Sequence, residues 1–479
     1  MHSIISRTGV VAASIALVTA VFAPGASAKT IVVDNTLDHV GSCDVVEDCT
    51  LRTAILDAVA TPGRDVITFS PSVFPVGAPA AIYVESALPA IVDPAGTAID
   101  GTGASVLILS QIPTHDDGPL ADGLVFASTP GVPLRDVAVT NVTVIGFEAS
   151  GVVICGGSYP ECDQDVVAPV VRRVTSKLNT AVGIFVRGRN VTKARIDECA
   201  ATSNDAGVLM NAFGTLSGTR ITRSAMKQND FAGIWIGPLT GTISDLAISD
   251  TSVSDGSAAM IVAAVDDARK VSLTNVAVTG GEGFGILVSV PTLSALSVTN
   301  VVSSRNGSDG ILVSANAIDG VVLKDVVTNA NEHGVRFLSD RMVGAKITQV
   351  TAANNTKDGL TLLETTGAKI SRVAVADNGG HGLVVQGDGN VLKQVRAAEN
   401  TGDGVHLGGP GRGNTVTGVS SAANQGAGIY VEGNSVGNTL KKNVAVGSDS
   451  IDLVDANPSC DGNAWKSNVF ELRNVACIR

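Results

Sequence analysis

Between Asn179 and Asp452 the apolar and polar positions recur about every 24 to 25 residues, and each recurrence closes on one phrase: a small residue, then apolar, variable, apolar. The copies run Gly183-Ile-Phe-Val, Gly207-Val-Leu-Met, Gly233-Ile-Trp-Ile, Ala259-Met-Ile-Val, Gly285-Ile-Leu-Val, Gly310-Ile-Leu-Val, Gly334-Val-Arg-Phe, Gly359-Leu-Thr-Leu, Gly382-Leu-Val-Val, Gly404-Val-His-Leu, Gly428-Ile-Tyr-Val and Ser450-Ile-Asp-Leu. The first and third residues after the small one stay apolar while the second varies, which is the alternation of a strand with one face buried. A second alternating segment, such as Lys346-Ile-Thr-Gln-Val-Thr-Ala, precedes each phrase, and no helix-length pattern intervenes. Short strands stacked at this period predict a parallel β-helix. From Gly183 to Gly428 ten intervals span 245 residues, so the shaft is nearly free of insertions.

Several repeats carry an Asn four residues before the small residue, at Asn179, Asn229, Asn306, Asn355, Asn378, Asn400 and Asn424. Asn tolerates a left-handed turn and can bond its own backbone neighbours, so stacked copies predict a ladder that satisfies turn backbone groups. Upstream, Pro62-Gly63-Arg64-Asp65 turns the chain into Val66-Ile-Thr-Phe, and irregular rungs follow from about Ala80 to Ile154. The step from Gly151 to Gly183 is 32 residues. Its surplus holds Cys155 and Cys162 and predicts a pinned loop thrown out from one turn.

These rungs resemble the right-handed parallel β-helix repeat proteins of bacteria, a group that includes pectate lyases, polygalacturonases, alginate epimerases and phage tailspikes. Asp48-Cys-Thr-Leu-Arg-Thr-Ala-Ile-Leu-Asp-Ala-Val-Ala is similar to the CSLREAI motif that opens many secreted members, with Thr53 where that pattern usually has Glu. Its apolar Leu51, Ala54, Ile55 and Ala58 fall on one helical face, as a helix capping the first rung would require. The segment from Asp455 to Phe470 and the closing Cys477 resemble the terminal cap of the same proteins. The resemblance implies an all-β chain: one right-handed parallel β-helix with a helical N-terminal cap and a disulfide-bonded C-terminal cap. The boundaries expected are 1–28 for an export signal, 29–65 for the first cap, 66–455 for the β-helix and 456–479 for the last cap. Fold alone does not fix activity, because one fold hosts many chemistries.

The export signal is read from Arg7, the apolar run Val10 to Phe22 and the small-residue close Ala26-Ser27-Ala28. A secreted or periplasmic location follows, and no later stretch is apolar enough to span a bilayer. In an oxidising compartment the seven cysteines read as three local disulfides, Cys43 with Cys49, Cys155 with Cys162 and Cys460 with Cys477, leaving Cys199 as a core residue. Zinc is the alternative for close pairs, but no Cys-x-x-Cys stands with a matched second pair. Without the signal, 32 Lys and Arg face 45 Asp and Glu, a net charge of −13. That balance excludes nucleic acid as the expected partner, since phosphate binding needs a basic surface. It also weighs against pectin or alginate unless a local basic groove or bound Ca²⁺ reverses it. No cofactor is expected, with Ca²⁺ in acidic turns left open.

The variable position of the phrase points outward. On consecutive rungs it reads Phe185, Leu209, Trp235, Ile261, Leu287 and Leu312, an apolar stripe running roughly 24 Å that calls for a binding partner or a covering loop. It then becomes Arg336, Thr361, Val384, His406, Tyr430 and Asp452. The residue before the small one changes in step, to Asp309, His333, Asp358, His381 and Asp403. Carboxylates and imidazoles at rung spacing could pair an acid with a base or hold a cation. Asp358, His381 and Asp403 are therefore the candidate catalytic residues, and the two outward runs, with Arg336, His406 and Tyr430, the candidate binding surface. The bland reading is that Asp-Gly and His-Gly are ordinary turn dipeptides. Gly379-Gly-His381-Gly is similar to one element of polygalacturonases, but its companion carboxylates are missing, and glycoside hydrolysis needs two. The sequence favours a non-catalytic scaffold binding glycan or protein partners, with a polysaccharide lyase, hydrolase or epimerase as the alternative.

Overall fold

The computed structural model describes residues 28–61, 63–93, 95–112, 120–238 and 241–479. The expected export signal lies outside them except for Ala28. The described residues form a right-handed parallel β-solenoid of fifty strands, from Thr30–Val33 to Val469–Phe470, with one α-helix, α1 (Leu51–Ala60). Fifteen strands stack into one sheet that begins at Ile91–Val92 and ends at Leu453–Asp455, and the other thirty-five wrap the remaining faces.

The closing phrase of each repeat forms a strand of the fifteen-stranded sheet. Val208 pairs with Ile234, then Met260, Ile286, Ile311 and Val335, so one buried column runs up the inside of the solenoid. On the other faces, alternation is interrupted at intervals of five. Between Leu216 and Lys227 the short strands Leu216–Ser217, Arg220–Thr222 and Ala225–Lys227 are separated by Gly218 (φ 64°) and Arg223 (φ 48°). A single left-handed residue bends the chain and resets which side chains face inward, so Ile221, Ser224 and Met226 are all buried. A left-handed residue other than Gly costs about 1–2 kcal/mol. Stacking offsets it, because the Arg223 N–H donates to the Ser249 carbonyl of the next turn.

The Asn ladder is present and longer than its sequence signal. Asn179 donates through Nδ2 to Asn204 Oδ1 at 2.9 Å, and Asn204 to Asn229 at 3.1 Å. It resumes from Asn306 through Asn331, Asn355, Asn378 and Asn400 to Asn424, every member buried. Within each run every Oδ1 after the first also accepts the backbone N–H of the preceding Asn, as Asn378 does from Asn355 at 3.1 Å. A second ladder, Asn390, Asn414, Asn438 and Asn463, serves another corner.

Both ends are closed. In α1 Leu51, Ala54, Ile55 and Ala58 are buried, and the Thr50 hydroxyl caps the helix by accepting the Thr53 N–H. Thr53, which departs from the CSLREAI pattern, is itself buried and accepts the Gly41 N–H at 2.8 Å. The strand Thr30–Val33 precedes α1 and pairs with Asp65–Phe69, so the stack begins ahead of the cap helix. At the far end Trp465 packs over Leu440, and its indole N–H donates to Asp455 at 2.8 Å. The three disulfides join Cys43 to Cys49, Cys155 to Cys162 and Cys460 to Cys477. Cys199 is free and buried, and burial pushes its thiol up to about 11.

One register expectation is corrected. Ile429 pairs with Leu453 and Tyr430 with Val454, so Val454, not Asp452, continues the outward column. Ser450-Ile-Asp-Leu mimics the repeat phrase two residues too early. Asp452 occupies the place of the small residue, is buried, and accepts the N–H groups of Ser448, Glu471 and Leu472 at the closing cap.

Candidate functional site

Strand pairing places all the predicted outward residues except Asp452 in one column. Val153 pairs with Phe185, and the column continues through Leu209, Trp235, Ile261, Leu287, Leu312, Arg336, Thr361, Val384 and His406 to Tyr430. The disulfide loop covers its beginning: Cys155 and Cys162 are buried with Val153, and Phe185 packs against them. Beyond Phe185 the stripe keeps part of its surface in water. Leu209, Trp235, Ile261 and Leu287 are half-buried, and Trp235 leans on Phe231 with ring centres 5.0 Å apart. Leu312 is buried, 7% exposed, where the column turns polar.

The polar half begins with Arg336, whose guanidinium grips the fully buried Asp309 at 2.6 Å. Asp309 Oδ1 and, one rung on, His333 Nδ1 are buried without a hydrogen-bond partner. Burial holds His333 below the usual imidazole range, and the Arg336 charge adds to this against the opposing pull of Asp309 and Asp358. The next three positions share a different arrangement. Asp358 Oδ1 accepts the His381 N–H at 2.8 Å, His381 Nδ1 accepts the Asp403 N–H at 2.9 Å, and Asp403 Oδ1 accepts the Ala427 N–H at 2.7 Å. All three candidate catalytic residues thus stitch one turn to the next.

Around Asp403 these groups converge with the outward column. Asp403 Oδ2 lies 2.8 Å from His406 Nδ1 and 3.4 Å from His381 Nδ1. The His406 ring stacks on Tyr430 at 4.9 Å and sits 4.8 Å from the His381 ring. Glu432, which the repeat pattern does not reveal because it follows the strand, stands 3.9 Å from His406 Nε2. Arg336 and Asp358 lie on earlier rungs, outside this cluster.

His381, Asp403 and His406 offer ligand atoms within 4.8 Å of one another. Two imidazoles and one carboxylate suit late first-row metals, not Ca²⁺, which takes six to eight oxygens. His381 Nδ1 would have to release the Asp403 amide to bind a metal through that nitrogen. Oxygen-rich acidic turns occur elsewhere, where Asp230, Asp255 and Glu282 line a recess of about 500 Å³.

Comparison with protein families supports the architecture. The chain matches the family model described as "Right handed beta helix region" over residues 182–343 and 327–470. Among solved structures, it is similar to the A-module of Azotobacter vinelandii mannuronan C-5 epimerase AlgE6, at 13% identity and a TM-score of 0.42, covering 88% of this chain and 95% of that one. Pectate lyase Pel9A gives 11% identity, a TM-score of 0.37 and coverage of 66% and 78%. The Streptococcus pneumoniae surface adhesin PfbA gives 10%, 0.31, and 82% and 86%. At the level of sequence, no characterised protein matches. With more than half of its length matched by the family model and every turn stacked in parallel, the chain belongs to the right-handed β-helix family.

Proposed function

We propose that this protein is an exported solenoid that binds a glycan or surface partner along the outer face of its fifteen-stranded sheet, without chemistry on the ligand. The observation that carries this reading is the single outward column. Trp235, Leu287, Arg336, His406 and Tyr430 stand on it in register, each with part of its surface in water. A straight face of this length suits an extended polymer, and its aromatic, apolar and hydrogen-bonding side chains suit the mixed surface of sugars. The three disulfides fit an oxidising compartment.

Two features argue against catalysis. Asp358, His381 and Asp403 are each engaged by a backbone amide. Asp358 and Asp403 are also two rungs apart, roughly 9 to 10 Å, too far for the roughly 5–5.5 Å of a retaining glycosidase and at the outer edge of the roughly 6.5–9.5 Å of an inverting one. The cluster of His381, Asp403, His406 and Tyr430 favours the second reading, a carbohydrate-active lyase, hydrolase or epimerase. Screening the purified protein against plant, algal and bacterial polysaccharides, scoring both retention and new reducing or unsaturated ends, separates the two. Retention without products is expected, and accumulating products would replace this proposal with the enzymatic one.

A further inference from the structure

The cations of this chain are distributed unequally between ion pairs and free surface. On the N-terminal turns acids stand among them: Arg173 pairs with Glu198 at 2.7 Å, Arg223 with the same Glu198 at 3.1 Å, and Arg220 with Asp245 at 3.1 Å, while Lys193, Arg195, Lys227 and Lys270 form no ion pair among the described residues. Towards the C-terminus the same two strand columns and the corner between them carry Lys346, Lys369, Arg372, Lys393, Arg396, Lys441, Lys442 and Lys466, all exposed. Among the described residues none of these eight forms an ion pair, and Arg372 makes only a 3.4 Å contact to Gln349. The segments that build this face, 346–352, 369–375, 391–397, 415–421, 439–445 and 464–470, contain no Asp or Glu.

Register makes the clustering costly. Lys346 pairs directly with Lys369, and Lys441 with Lys466, one rung apart at about 4.8 Å. Like charges opposite each other on neighbouring strands are destabilising, and no acid of the same face offsets them. Between the cations stand groups that hydrogen-bond: Ser371, Gln394, Thr415, Thr417, Ser420 and Thr439. A recess of about 480 Å³ opens in the middle, lined by Arg372, Gln394, Arg396 and Ser420.

We propose that this cationic face is a second binding surface, separate from the fifteen-stranded sheet, and that its occupant is an acidic polysaccharide lying along the solenoid axis. The cations answer its acid groups, and the interleaved hydroxyls and amide answer its sugar hydroxyls. A linear polymer fits because the face is straight and repeats at every rung. Duplex DNA fits worse, because its deoxyribose backbone offers no free hydroxyls to the interleaved Ser, Thr and Gln side chains. This inference does not depend on the reading of the other sheet.

The test uses the full chain in affinity electrophoresis through gels holding dextran, dextran sulfate or hyaluronan. Dextran sulfate and hyaluronan should retard it, dextran should not, and the effect should fade as salt rises and the Debye length falls from about 10 Å at 0.1 M to about 3 Å at 1 M. The fourfold variant Lys369→Glu, Lys393→Glu, Arg396→Glu and Lys441→Glu should lose roughly tenfold or more in affinity. A twofold reversal elsewhere, Lys227→Glu with Lys270→Glu, should change it little, and the double variant Lys369→Glu with Lys441→Glu, of the same net charge, should weaken it clearly. If the fourfold variant does not fold, Lys369→Gln and Lys441→Gln should each lower the salt dependence. The inference is overturned by no retardation in either acidic gel at low salt, by equal retardation of the folded fourfold variant, or by binding of duplex DNA or phosphatidylglycerol vesicles as tight as that of the polysaccharides. Retardation lost on Trp235→Ser instead would place the polymer on the other sheet and also defeat it.

Discussion

Asn378 is the sharpest test of what holds the turns together. Its Oδ1 accepts two donors from the turn before, the Asn355 N–H at 3.1 Å and the Asn355 Nδ2 at 2.9 Å. Its own Nδ2 donates to Asn400 Oδ1 and to the Ala352 carbonyl. Asn378→Ala therefore orphans two buried donors and removes one donor from two acceptors. A buried unsatisfied donor costs about 1–3 kcal/mol. Two donors give about 2–6 kcal/mol, and we expect about 3 because the vacated space lets the chain relax. Solenoids lose stability rung by rung, so one global unfolding energy is a poor readout. Hydrogen exchange is the better assay: the Asn355 amide should exchange on the order of a hundredfold faster, while amides of the first turns, such as Ile67, should be unchanged. Lys357→Ala serves as control, because it removes only an exposed pair with Glu332, and such pairs contribute about 0–1 kcal/mol. Unchanged exchange at Asn355 would mean that the ladder decorates the corner without supporting it.

Trp235→Ser should weaken partner binding while lowering stability by less than the ~3–5 kcal/mol typical of a buried aromatic, and a loss in that range would show that the chain covers the stripe. His333 is held neutral by burial, so the unfolded chain takes up its proton first as pH falls. The stability of the wild type should thus be full above about pH 6.5 and decline below it, and guanidinium midpoints of His333→Gln across pH 5 to 8 should show a shallower decline. Peptide mapping without reduction should recover the three disulfides, with Cys199 unreactive to iodoacetamide until the protein unfolds. Asp403→Asn can still accept the Ala427 N–H and should cost little stability, whereas Asp403→Ala should cost about 1–3 kcal/mol; equal losses by thermal unfolding would refute the amide-acceptor role.

The shaft was legible because its signal repeats. The buried positions of the fifteen-stranded sheet follow strict alternation, so Ile184, Val208 and Ile234 could be aligned by eye from the Gly beside each. The other faces could not be read that way. Left-handed residues such as Glu198 and Arg223 shift the inward positions every five residues, which scrambles a period of two. Hence the second ladder of Asn390, Asn414, Asn438 and Asn463 leaves no simple periodic signal, and the Lys346 to Lys466 face is hidden inside an acidic total. Register also failed at the last rung, where Ser450-Ile-Asp-Leu looks like the phrase but Leu453 takes the place beside Ile429.

The candidate site residues were brought together only in part, and the reason is geometric. A rung advances about 4.8 Å, so residues recurring at one position per turn form a line, not a pocket. Arg336, Asp358 and Asp403 are therefore strung along the axis, and convergence arises only where the line of Asp403 and His381 meets the outward line of His406 and Tyr430. A loop or a wall would turn such lines into the concave pocket that small-ligand sites favour. Here the disulfide loop, tied by Cys155 and Cys162, folds onto Val153 and Phe185 at the far end of the sheet, away from His406. The chain thus spends this disulfide-tied insertion on covering apolar surface and leaves His381, Asp403 and His406 on an open face, as the proposed grip on an extended polymer at many weak points would require.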